Sequence, residues 1–116
     1  MSWSLDARTP VRSLDATECP PGAVVLAEDG ASLPAGAARV ERFAAPPVGA
    51  HPIGCACCQP RNPVAIALDR LFLARARGDA PWFNEVVAIT RSEAGRQALA
   101  ASLEGDSVTQ ARFRAG

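Results

Sequence analysis

The 116-residue chain carries twelve basic residues, twelve acidic residues and one histidine, which leaves it formally neutral at pH 7. Such a balance supplies no long-range field toward polyanions, so nucleic acid and anionic membrane surfaces are set aside as partners. With 48% hydrophobic residues, a chain of this length can bury one core without disulfide staples, and a single domain over 1–116 is expected, with 1–8 as a flexible tail.

All twelve basic residues are arginine; there is no lysine and no tyrosine. The opening "MSWSLDARTP" lacks a basic stretch followed by an apolar run, and no segment approaches the roughly 18 to 20 apolar residues of a membrane span. A cytoplasmic protein is expected, and in a reducing compartment clustered cysteines serve more often as metal ligands or redox thiols than as structural disulfides.

In chain order, "TPVRSL" (9–14) reads as a short strand closed by the breaker cluster "ECPPG" at 18–22. The apolar run "AVVLAE" (23–28) suits a buried strand, and "DGASLPAG" suits a loop. In "ARVERFA" (38–44) Val40 and Arg42 share one face while Arg39, Glu41 and Phe43 share the other, a strand whose facing the sequence leaves open. Next comes "HPIGCACCQPRNP" (51–63), with three of the four cysteines inside four positions.

Asn62 followed by Pro63 is a good helix opening, because Asn caps free amides and Pro suits the first helical position. The helix is expected from about Pro63 to Arg77 with its stop at Gly78. Val64, Leu68, Leu71 and Phe72 make its core stripe. Ile66 and Leu73 share the opposite side with Asp69, Arg70 and Arg77, which points either to a partner chain or to ordinary scattered surface apolars. "FNEVVAIT" (83–90) reads as a buried strand. Thr90 and Glu93 have capping-box spacing, opening a helix through about Glu104 with Leu99 and Leu103 inward. "SVTQARFR" (107–114) is a final strand candidate. Strands alternating with helices predict an α/β layer structure with a mixed or parallel sheet, two main helices and at least one crossover.

Thiolate sulfur is a soft, strong ligand for zinc and copper(I), and Cys55, Cys57 and Cys58 can reach one ion from a tight turn that Gly54 eases. His51 and Cys19 are the other strong N or S donors, neither at a diagnostic spacing; a carboxylate, a water or another molecule could complete four ligands. The same thiols could instead do redox chemistry: Cys55 and Cys58 have C-x-x-C spacing, although Asn62 and Pro63 delay the helix behind them. Structural thiols without a function of their own are a further reading, ranked after metal binding and ahead of redox chemistry.

"GCACC" at 54–58, Arg61, "LDRLFLARARGDAPW" and "FNEVVAIT" follow one another in an order and spacing that resembles the CobW family of metal-handling GTPases, over residues 54 to 114. The resemblance implies a small, truncated P-loop-GTPase-like layer structure, with Cys55, Cys57 and Cys58 as metal candidates for zinc or another transition metal. The nucleotide chemistry departs from that pattern. A phosphate loop of the G-x-x-x-x-G-K-[ST] type needs a lysine that this chain lacks, and "DATECPPG" leaves no room for the loop and the helix behind it. Where the family has an acidic residue leading its strand end, the matching positions are Ile89, Thr90, Arg91 and Ser92, and no Asn-Lys-x-Asp base reader is present. GTP binding and hydrolysis are therefore not expected, and neither is enzymatic activity. The expected function is metal binding through the cysteine turn as an accessory in metal handling, with a metal-acceptor protein and a homo-oligomer as candidate partners. The alternatives are a structural, oligomerising domain without metal, and a thiol redox protein.

Overall fold

The computed structural model describes residues 7–45 and 61–116. Its strands are Thr9–Ser13 (β1), Val24–Glu28 (β2), Arg39–Phe43 (β3), Val86–Ile89 (β4) and Phe113–Ala115 (β5). Its helices are Pro63–Arg77 (α1), Glu93–Gly105 (α2) and Ser107–Arg112 (α3). The five strands form one sheet in the order β3-β2-β4-β1-β5, and every pairing is parallel. The α/β class and its parallel alternative are thus the observed architecture.

Right-handed crossovers explain how the layers segregate. The connections from β1 to β2 and from β2 to β3 step toward the β3 edge, whereas those carrying α1 and α2 step toward the β5 edge, so the two kinds must pass opposite faces. Alternate residues of the central strands divide accordingly. Val24 and Leu26 of β2 and Val86 and Ala88 of β4 pack with Val64, Leu68 and Leu71 of α1 and with Ala98 and Leu99 of α2. Val25, Ala27, Val87 and Ile89 face the other way. Both faces are buried, which is why these two strands read as unbroken apolar runs.

No described helix covers the second face. Leu14, Ala16, Cys19 and Ala23 from the β1–β2 connection, and Ala31 and Ala37 from the β2–β3 connection, pack against it instead. Small side chains on close-lying loops take the place of a helix layer. The open facing of β3 is also resolved: Val40 turns to the loop side and Phe43 to the helix side.

The α1 ends follow the sequence reading. The Asn62 side chain accepts from the Val64 amide at 2.8 Å, Pro63 is the first helical residue, and Gly78 closes the helix in the left-handed region at φ 80°. Phe72 is partly buried against the core, Ile66 is half-buried and Leu73 is exposed.

Three local expectations are corrected. The N-cap of α2 is Ser92, not Thr90: its Oγ accepts from the Gly95 amide at 3.0 Å. Ser92 itself is extended, at φ −138° and ψ 161°, and the amides of Arg91 and Ser92, ahead of the helix, donate to the carboxylate of Glu28. Most of "SVTQARFR" is not strand but α3. Asp106 caps it by accepting from the Thr109 amide at 2.9 Å, and only Phe113 onward pairs with β1. A good cap overrides the β-propensity of Val108 and Thr109. Finally, β4 is shorter than 83–90. The Phe83 carbonyl is taken by Arg75 and the Asn84 side chain by the Trp82 indole, so the ladder begins at Val86.

Candidate functional site

The metal candidates Cys55, Cys57, Cys58 and His51, together with Gly54, lie outside the described residues. What is described is the two ends of their segment. It leaves after β3 and returns before α1. In a parallel α/β sheet the strand ends and the starts of the following helices share one edge, the edge at which such folds bind ligands.

The return end is firmly held. The Arg61 guanidinium forms a salt bridge with Asp69 of α1 and bonds both carboxylate oxygens of Asp106, with Nη2 at 2.7 Å and Nε at 3.2 Å. The Asn62 side-chain amide donates to the Ala98 carbonyl in α2 at 2.9 Å while its oxygen caps α1. One residue pair therefore ties the exit of the cysteine segment to all three helices. Arg61 holds the Asp106 carboxyl well below the usual carboxylate range; burial acts against this, and the Thr109 amide and hydroxyl add to the lowering. Planar, two-point pairing of this kind gives directional restraint as well as charge neutralisation.

Two carboxylates of the chain occupy backbone donors at the same edge. Just past β1, the Asp15 side chain accepts from the amides of Thr17 and Glu18, both at 3.1 Å, and from the Thr17 hydroxyl at 2.6 Å. Just past β4, Glu28 accepts from the amides of Arg91 at 2.7 Å and Ser92 at 3.0 Å and from the Ser92 hydroxyl at 2.5 Å. Burial pushes the Glu28 carboxyl up, but the Ser92 hydroxyl, the two amides and the nearby Arg91 charge outweigh it and hold the group below its ordinary value. Gly95 makes the close approach feasible, since a Cβ there would overlap the Glu28 carboxylate. Amides after β1 and at the start of the helix after β4 are where an external anion would be cradled. Here the protein's own oxygens fill both places.

Cys19, the remaining thiol, is half-buried on the loop-covered face, and its Sγ lies 3.7 Å from the Pro20 carbonyl. Among the described residues, no group of three or more His, Cys, Asp and Glu side chains is placed to hold a metal ion. Among them, too, no helix is long and apolar enough to cross a membrane.

Comparison with family models, with curated proteins and with solved structures finds no match to this chain. The residues that sequence reasoning missed are Glu28, Arg61 as a clamp, and Asp106. Glu28 closes an apolar strand, and an acidic residue ending a buried strand at the ligand edge was the available signal. Asp106 with Thr109 three residues on had the spacing of a helix cap.

Proposed function

We propose that this is a non-hydrolysing protein, similar to the CobW family, that binds zinc or another transition metal through the thiolates of Cys55, Cys57 and Cys58 and acts in the cytoplasm as an accessory in metal handling. His51 is the nearest candidate for a further ligand. The observation that carries the reading is the donor set itself: three soft thiolates in four positions, with an imidazole close by in sequence. Such a set matches the preference of zinc for sulfur and nitrogen, and a site with three protein ligands keeps a position for exchange.

The anchoring of the segment supports this reading. Metal ligands on a turn need a fixed base, and Arg61 and Asn62 provide one on the exit side. The non-hydrolysing part of the reading draws on separate observations. The chain has no lysine, no helix follows β1, and the amides that could cradle phosphate serve Asp15 and Glu28.

The test is elemental analysis of protein purified without a metal-affinity step, comparing wild type with the triple variant Cys55→Ser, Cys57→Ser, Cys58→Ser. Zinc bound in proportion to chain and lost in the variant is the expected result. No metal in either protein after zinc addition under reducing conditions overturns the reading and leaves the turn a structural element of an interaction domain.

A further inference from the structure

The outward face of α2 carries a charge pattern that is complementary to itself. Arg96, Ala100 and Glu104 follow one another at four-residue intervals, which sets them on one side of the helix, and all three are exposed. Beside them runs a groove of about 440 Å³, walled by Leu99 and Leu103 of α2, Val11 of β1 and Ala115 of β5, with Arg96, Ala100 and Glu104 also lining it.

Both charges are open to a partner. The Gln110 side chain bonds the Glu104 carbonyl at 2.6 Å, whereas the Glu104 carboxylate has no partner among the described residues. Arg96 donates from Nε and Nη2 to Glu93, but the side chains of this pair are 56% and 68% exposed, and such pairs in water contribute little. The Arg96 Nη1 has no acceptor among the described residues.

A two-fold axis makes every contact reciprocal, so that whatever one copy presents must suit the same surface on the other. Two α2 helices laid antiparallel across such an axis at Ala100 place Arg96 of each copy opposite Glu104 of the other, because both charges lie about 6 Å along the helix from the centre. The small side chain of Ala100 at that centre lets the helices approach closely. Leu103 of each copy then comes down beside Leu99 and the aliphatic stem of Arg96 of the other, over the groove. The outer face of α1 lacks this self-complementarity. Its exposed Leu73 lies between the exposed Arg70 and Arg77, so an antiparallel pair of α1 helices would bring arginines together.

We propose that this face of α2 is a homodimer surface, covered by a second copy of the chain and held by two Arg96–Glu104 pairs across the axis. The test is sedimentation equilibrium of the full chain from about 1 μM to about 1 mM, with reductant and chelator present so that neither a disulfide nor a shared metal joins the copies. Wild type is expected to dimerise reversibly within that range. Arg96→Glu alone and Glu104→Arg alone should each weaken the dimer about tenfold or more, since each sets like charges against one another at both ends of the contact. Both substitutions put the favoured sign at their end of α2, so the fold should hold, and melting temperatures of the dilute monomers check that. Mixed in equal amounts, the two variants should form a heterodimer at about wild-type affinity, because opposite charges meet again at both ends. A wild type that stays monomeric throughout overturns the proposal. So does a dimer that neither single substitution weakens, or a mixture that associates no better than its components.

Discussion

Glu28 at the end of β2 and Ser92 at the start of α2 meet through two hydrogen bonds, from the Ser92 hydroxyl at 2.5 Å and its amide at 3.0 Å. The Glu28 side chain is buried, and the Arg91 amide completes its shell. Every partner is a donor, so the group must be an acceptor throughout. Glu28→Gln keeps the size but turns an NH₂ toward those donors, and about 1 to 3 kcal/mol of stability should be lost. Urea unfolding checks this: the midpoint falls with the slope unchanged. A midpoint equal to wild type would show that the contact contributes nothing net.

The same geometry sets a pH dependence. Glu28 and Asp106 are both held below their ordinary carboxyl values in the fold, Glu28 by hydrogen bonds that outweigh its burial and Asp106 chiefly by Arg61. For groups depressed in the folded state, the stabilisation is complete above the unfolded carboxyl range, about 4, and is lost as pH falls toward the folded values. The melting temperature should therefore vary little with these groups from neutral pH down to about 5 and drop below that. In Asp106→Asn the drop should be shallower, from a lower starting stability. An acid limb as steep as that of wild type would mean that the Arg61–Asp106 pair does not contribute to it.

Legibility from sequence followed the range of each interaction. The limits of α1 were readable because Asn62, Pro63 and Gly78 act within a few residues of the helix ends. The first three strands were readable from period and punctuation. The start of α2 was misplaced because Thr90 and Ser92 are both capping residue types two positions apart, and the Glu28 carboxylate that meets the Arg91 and Ser92 amides lies more than sixty positions upstream. α3 was misread because Val108 and Thr109 suggest a strand locally while Asp106 caps a helix. Three thiols in four positions suggest metal binding through residue type alone, an expectation on residues outside those described, whereas the Arg61 clamp depends on a pairing with Asp106 that no local pattern encodes.

Two glycines of α2 should respond oppositely to the same change. At Gly95 a Cβ would collide with the Glu28 carboxylate, which its three donors keep from moving aside. Gly95→Ala should therefore cost roughly 1 to 3 kcal/mol as an overpacked contact. At Gly105, the last residue of α2, nothing lies within 4 Å of the added carbon and the backbone is not left-handed. Gly105→Ala should stabilise by up to about 1 kcal/mol through helix propensity. Thermal unfolding of the two variants side by side reads both signs. Destabilisation by the two alike would remove the Glu28 contact as the cause.

Cys19 provides the control for the metal reading. Its thiol is half-buried on the loop-covered face, where the residue packs against the cluster of Val25, Ala27, Val87 and Ile89, and burial, with a smaller contribution from the Glu85 charge, pushes its pKa up. A raised thiol pKa means less thiolate at neutral pH, and thiolate is both the nucleophile and the metal ligand. Cys19 should react with iodoacetamide more slowly than a free cysteine, as followed by mass spectrometry of the peptide that contains it. Cys19→Ala should leave bound zinc per chain at the wild-type value while costing some stability from lost packing on that face. If zinc falls in Cys19→Ala as far as in the Cys55, Cys57 and Cys58 triple serine variant, without unfolding, then Cys19 belongs to the ligand set and the loop between β1 and β2 must approach the cysteine turn.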